Sequence, residues 1–289
     1  MNLLIRSDSS SQIGLGHIMR DLVLAQQYPH AHIIFACQNL AGNIMFKIPY
    51  AVHILKSNTP EELIEVIKDK SIDRVIFDHY EIDHLFEKTV KESTEVTIVS
   101  LDDMYQKHCC DILINPNIYA NEKRYHHLVE TRTILRCGKE FFLIRDEFRI
   151  AEQKPKLPTN AILVAMGGSD PRNLSMEVIT ALPTTHPIHL ITTTANPHLH
   201  QLQSYSHKHP YIRLHINTLD MANLMHQCAF AIITPSSIAH EVMFMNLPFI
   251  AIQSADNQSE FVAYMESEHL NVLHHFEKKS FLALLDKLL

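Results

Sequence analysis

Ala161-Ile162-Leu163-Val164-Ala165-Met166-Gly167-Gly168-Ser169-Asp170-Pro171 reads as a short apolar strand that runs into a glycine loop, and the spacing beyond it predicts a helix over about Asn173 to Leu182. The same order occurs earlier in the chain. Leu3-Leu4-Ile5 is followed by Gly14-Leu15-Gly16-His17 and then by a helical pattern from about His17 to Tyr28, in which Ile18, Leu22 and Ala25 recur at intervals of three and four. Strand, glycine turn and helix in succession is how a parallel α/β domain begins. Further β-rich runs are expected at His32 to Cys37, Val52 to Leu55, Arg74 to Phe77, Val96 to Leu101 and Asp111 to Ile114. Others follow at Ile188 to Thr192, Ile212 to His215, Ala229 to Ile233 and Phe249 to Ile252, with a helix at Ile238 to Met245. The predicted architecture is therefore α/β, two Rossmann-like domains whose parallel sheets face each other across a cleft, with ligands expected at the carboxyl ends of the strands. The charged, proline-containing stretch from Arg145 to Asn160 predicts the boundary, giving domains 1–150 and 151–289.

Length supports the division, since 289 residues exceed the usual size of one core. A net charge of −7 with no basic run argues against a nucleic-acid partner. No stretch approaches the roughly 18 to 20 apolar residues of a membrane span, and the N-terminus lacks a basic-then-apolar leader pattern, so no membrane partner and a cytoplasmic location are expected. The five cysteines lack C-x-x-C spacing and are expected to be reduced. The 21 histidines include His30/His32, His126/His127, His198/His200 and His207/His209, but no H-E-x-x-H and no acidic partner at a fixed offset, which favours compositional bias over a metal site. Asp102-Asp103 at a strand end is open to a divalent cation or to a turn. Neither a complete G-x-G-x-x-G nor a G-x-x-x-x-G-K-[ST] loop is present, so no nucleotide cofactor or phosphate-cleaving engine is expected.

The titratable His17 follows directly on Gly14 and Gly16. Two glycines permit close backbone approach, and a helix start offers N–H groups to negative charge. The motif is either a plain tight turn or a place where an imidazole exchanges protons beside a phosphorylated molecule. In the second half the order Gly167-Gly168-Ser169, Ser236-Ser237-x-x-x-Glu241, Leu247-Pro248-Phe249-Ile250 and Asp256-Asn257-Gln258 is more specific. Diphosphate carries no donors, and a glycine loop and a helix capped by Ser236 or Ser237 would supply them. An ionised Glu241 accepts two hydroxyl donors at once.

That spacing resembles the nucleotide-sugar half of the glycosyltransferase B fold, in the branch of the cell-wall UDP-N-acetylglucosamine transferases. The stretch Ile5 to Arg20, with Asp78-His79-Tyr80 and Asn257-Gln258, resembles more closely the UDP-sugar hydrolases of pseudaminic acid biosynthesis, and the likeness covers almost the whole chain. The resemblance implies metal-independent release of UDP from a UDP-linked diacetamido-trideoxy hexose, with water attacking the anomeric carbon and inverting it. His17 would be the base; Gly167, Gly168, Ser169, Ser236 and Ser237 would meet the diphosphate, Glu241 the ribose, and Asn257 and Gln258 the sugar or its phosphates. Gly14 and Gly16 would let the sugar end approach, and Tyr80 would contact it. Asp8 is open to orienting His17, binding a sugar hydroxyl or forming an Asx turn. A UDP-sugar glycosyltransferase is the alternative, and no apolar groove for a large acceptor is evident near Gly42 to Met45. A monomer or weak homo-oligomer is expected.

Overall fold

The alternation of apolar residues in the first half buries both faces of a sheet. In a computed structural model describing residues 1–10, 12–13, 16–156 and 158–289, the chain falls into two units, Met1–Leu143 and Ile144–Leu289. The first contains β1 (Asn2–Ser7), α1 (Gly16–Ala25), β2 (His32–Gln38), β3 (Ala51–Leu55), α2 (Pro60–Asp69), β4 (Arg74–Asp78), α3 (His84–Ser93), β5 (Thr97–Leu101), β6 (Ile112–Asn115) and β7 (Ile134–Cys137). All its strands pair in parallel, in the order β3-β2-β1-β4-β5-β6-β7. Leu3 and Ile5 of β1 join Phe35, Ile76 and the α1 residues Ile18, Leu24 and Ala25 in one core. Leu4 points the other way, into a core with Ile34, Val75, Phe77 and the faces of α2 and α3. This is the period-two division of a sheet covered on both sides.

The second unit contains α4 (Asp146–Glu152), β8 (Ile162–Ala165), α5 (Leu174–Ala181), β9 (Ile188–Thr192), α6 (Leu199–Lys208), β10 (Ile212–Ile216), α7 (Met221–His226), β11 (Phe230–Ile233), α8 (Ser237–Phe244), β12 (Phe249–Ile252), α9 (Ser259–Ser267), β13 (Val272–Leu273) and α10 (Lys278–Leu285). Its parallel strands run β10-β9-β8-β11-β12-β13. The stretch from Arg145 to Asn160 holds α4, with Phe148 and Ala151 buried. In both sheets the strand order reverses beside the first strand, between β1 and β4 and between β8 and β11. Loops at the carboxyl ends of such a reversal leave room for a ligand.

Among the described residues no helix is long and apolar enough to cross a membrane. The five cysteines are free, and all but the partly exposed Cys137 are buried. Asp102 serves a turn: its carboxylate accepts from the backbone N–H of Met104 and Gln106, each at 2.9 Å, and from the Tyr125 hydroxyl at 2.8 Å.

That carboxylate also faces a buried ionic network. His108 Nδ1 lies 2.8 Å from Glu87 Oε1 and its Nε2 lies 3.7 Å from Asp102 Oδ2. Burial pushes the imidazole down, but Asp102 and Glu87 outweigh it and raise it to about 9 from an ordinary 6.5. A group protonated more readily when folded contributes stability below its unfolded value and loses that contribution as pH rises through the folded one. The stability gap between wild type and His108→Gln should thus be largest, a few kcal/mol, below about pH 6.5 and should shrink towards pH 9. Denaturant melts at several pH values would show it; a gap that grows with pH would refute it.

Candidate active site

His17 stands in the first turn of α1, one loop after β1, and Asp78 is the last residue of β4. Because β1 and β4 are neighbours in register, with Ser7 opposite Asp78, these residues meet although 61 positions separate them. His17 Nδ1 lies 2.6 Å from Asp78 Oδ1, and both side chains are buried. Arg20, one turn along α1, binds both oxygens of Asp78, through Nε at 2.9 Å and through Nη2, and reaches Asp103 Oδ2 through Nη1 at 3.0 Å. Burial pushes the Asp78 carboxyl up, but the Arg20 charge and the hydrogen bonds from His17 and Arg20 hold it well below the usual carboxylate range. An ionised carboxylate only accepts, so Nδ1 of His17 carries the hydrogen and Nε2 keeps its lone pair. The arrangement is that of a base oriented from behind by a carboxylate.

A second histidine nearby is arranged differently. His79 Nδ1 accepts the N–H of Glu81 at 3.2 Å, so its Nε2 carries the hydrogen and donates to Asp8 Oδ2 at 3.1 Å. Both nitrogens are committed. Asp8 is equally occupied: it accepts from Gln38 N at 2.7 Å and from Arg6 Nη2 at 2.9 Å besides His79. It is buried and does not orient His17, a role that falls to Asp78; its bonds leave little to offer a sugar hydroxyl. Tyr80, 53% exposed, sets its ring edge-on to His17 with centroids 4.6 Å apart, and its hydroxyl lies 3.4 Å from Asp103 Oδ2. A Cβ added at Gly16 would meet nothing within 4 Å, so the space beside it is open. Gly14 lies outside the described residues.

In the second unit the loop after β8 requires its glycines. Gly167 has φ +88°, and a Cβ on Gly168 would sit 3.0 Å from Thr193 Cγ2. Ser169 is exposed in the loop ahead of the helix. α5 begins at Leu174, and its first N–H groups, those of Leu174 and Ser175, are already taken by the buried Asp170 carboxylate at 2.8 and 2.9 Å. The start of α8 is the opposite case. Ser236 occupies the cap position with extended backbone and makes no side-chain capping bond, its hydroxyl lying instead 3.1 Å from Thr234 Oγ1. The first N–H groups of α8 are thus free of a side-chain cap, and the exposed Ser237 leads them.

Glu241, one turn into α8, has its Oε1 3.0 Å from Arg145 Nη2. Burial lifts its carboxyl above the ordinary value, with Arg145 opposing. Arg145 also pairs with Glu147 at 2.9 Å. Asn257 is exposed after β12, whereas Gln258 turns back, its Oε1 accepting from Ser254 N at 2.8 Å and its Nε2 donating to Ser254 Oγ at 3.1 Å. Gln258 therefore shapes the turn that presents Asn257. Among the described residues no group of three or more His, Cys, Asp or Glu is placed to hold a metal ion.

Asp78, Arg20 and Asp103 are the site members that sequence reasoning did not single out as such. The usable signal was the spacing of His17 and Arg20, three apart on one helix face.

No protein-family model matches this chain. The chain is 39% identical, over 96% of its own length and the whole of the relative, to the UDP-2,4-diacetamido-2,4,6-trideoxy-β-L-altropyranose hydrolase of Campylobacter jejuni. Among solved structures it resembles MurG of Acinetobacter baumannii, with a TM-score of 0.66 at 10% identity, covering 99% of this chain and 90% of that one. It also resembles the UDP-GlcNAc 2-epimerase of Neisseria meningitidis, with a TM-score of 0.57 at 13% identity, covering 99% and 91%. The two parallel-sheet domains have the glycosyltransferase B type of fold.

Proposed function

The chain belongs to the family of the UDP-2,4-diacetamido-2,4,6-trideoxy-β-L-altropyranose hydrolase, and from that premise we propose that it releases UDP from the same class of UDP-linked sugar, with His17 as the general base. The observation that carries this reading is the asymmetry of His17: Nδ1 is tied to Asp78 at 2.6 Å, while no described residue bonds to Nε2. In the proposed step Nε2 removes a proton from water as the oxygen attacks the anomeric carbon. The C–O bond to the phosphate breaks, its electron pair leaves with UDP, and the anomeric configuration inverts. Asp78 then stabilises the imidazolium. UDP is a good leaving group, so the scheme calls on neither a strong acid nor a metal ion.

The division of labour follows the two units. The first supplies the base, with Tyr80 and the open space at Gly16 for the sugar. The second supplies the nucleotide donors and acceptors: the Gly167-Gly168-Ser169 loop and the uncapped start of α8 at Ser236 and Ser237 for the diphosphate, Glu241 for the ribose, and Asn257, presented by the Gln258 turn, for the sugar or its phosphates. Arg145 holds the Glu241 carboxylate ready as an acceptor. Glu241→Gln should weaken UDP binding roughly tenfold, the loss of about one charge-assisted hydrogen bond, with kcat largely kept. Titration calorimetry with UDP checks this, and unchanged affinity would remove Glu241 from the ribose site.

The reading as a whole is tested by purified protein and substrate with water as the only acceptor. UDP release is expected, at a rate insensitive to a chelator and to added sugar acceptors. Release that requires an acceptor would favour the glycosyltransferase alternative instead. The reaction would serve pseudaminic acid biosynthesis, as its family resemblance implies.

A further inference from the structure

Asp21 lies on α1 four residues after His17, hence on the same face of the helix, and is 0% exposed. Among the described residues neither of its carboxyl oxygens, nor the buried Ser7 hydroxyl, has a partner at full hydrogen-bond distance and angle, although Ser7 and Asp78 both lie close enough to act on the carboxyl. The groups that act on this pocket are Ser7 on β1, Arg20 on α1, Cys37 on β2 and Asp78 on β4. Arg20 is already spent on Asp78 and Asp103, and the Cys37 thiol is pushed up to about 12, by burial first, so it is neutral.

An ionised carboxylate without donors in a buried site beside a second carboxylate is costly on two counts, desolvation and repulsion. Burial and the Asp78 charge accordingly push the Asp21 carboxyl well up. A neutral acid has what the ionised form lacks, an O–H donor. Asp78 has a use for it. A carboxylate offers about four acceptor sites, and His17 and Arg20 occupy three of those on Asp78, leaving one on Oδ2.

We infer that Asp21 is a positioning residue, a neutral acid that donates to the last acceptor site of Asp78 and so fixes the carboxylate plane that orients His17. The inference rests on His17 being the base. It acts through Asp78 and touches no reacting atom.

Three readings test it together. Asp21→Ala should lower kcat by about 10- to 100-fold, the scale seen when a metal-bound imidazole loses its outer-shell partner, with KM and UDP affinity unchanged. Asp21→Asn, which keeps a neutral donor of the same shape, should restore most of kcat and leave the acid limb of the pH–rate profile where it is. An ionised Asp21 would instead help His17 hold its proton, so its removal in Asp21→Asn would move that limb to lower pH. Such a displacement would overturn the inference, as would full activity in Asp21→Ala. Independently of turnover, infrared spectra at neutral pH should show a carboxylic-acid C=O band that Asp21→Asn lacks. Absence of that band in the wild type would overturn the inference even in an active enzyme. A protein that shows the band yet releases no UDP would support the neutral Asp21 while contradicting His17 as base.

Discussion

Replacing His17 by Asn should nearly silence UDP release while leaving UDP binding intact. General-base assistance contributes about 10²- to 10⁴-fold, and at this position the described residues offer no substitute. The other histidine near the strand ends, His79, has both ring nitrogens engaged, by Glu81 N–H at 3.2 Å and Asp8 Oδ2 at 3.1 Å. Asn fits the space of an imidazole but is not basic. The nucleotide-binding groups proposed for the second unit are untouched by the change, so calorimetry with UDP should give the wild-type affinity as kcat collapses. A His17→Asn protein that turns over at the wild-type rate would remove the imidazole from the chemistry.

The second large effect is expected at Asp78. Arg20 donates to both carboxylate oxygens and His17 Nδ1 donates to one of them. Asp78→Asn brings an NH₂ group to one of these positions, and in either orientation it points a donor at a donor. If the amide nitrogen faces His17, Nδ1 must accept, the hydrogen moves to Nε2, and the base is lost. If it faces Arg20 Nε, the guanidinium loses a charge partner and the imidazolium formed in the reaction loses its counter-ion. Both outcomes depress kcat, by up to about 10⁴-fold on the precedent of an aspartate behind a catalytic histidine. KM and UDP affinity should change far less. Steady-state kinetics across pH would check this, and a fall confined to KM would show that Asp78 serves binding instead.

Both effects depend on a meeting that local sequence does not encode. The strands themselves were largely legible: the apolar runs at Ile188–Thr192 and Phe249–Ile252 became β9 and β12 with the bounds read for them, because fully buried parallel strands leave little room for polar residues. α2 falls outside the elements that the apolar patterns predict, although Thr59, Pro60 and Glu62 carry an N-terminal signal, and the Thr59 side chain does accept from Glu62 N. β7 escaped because a half-exposed edge strand containing Arg136 has a weak apolar pattern. In the site, His17 stood out through its glycines. Its partner could not, because the pairing of Asp78 with His17 across 61 positions follows from β4 lying beside β1, which is a property of topology. Asp8 was the sequence-adjacent candidate for that role, and its carboxylate is consumed by Arg6, Gln38 and His79. The start of α5 shows the same limit: the helix begins at Leu174, within one residue of the expected start, but its first N–H groups are taken by the Asp170 carboxylate, a contact the sequence pattern does not signal. The free helix end is at α8.

The central claim, that water held by His17 attacks the anomeric carbon, is tested most directly by turnover in ¹⁸O-labelled water with mass analysis of both products. The label should appear in the released sugar and be absent from UDP; label in the UDP phosphate would mean cleavage at phosphorus and would contradict the account.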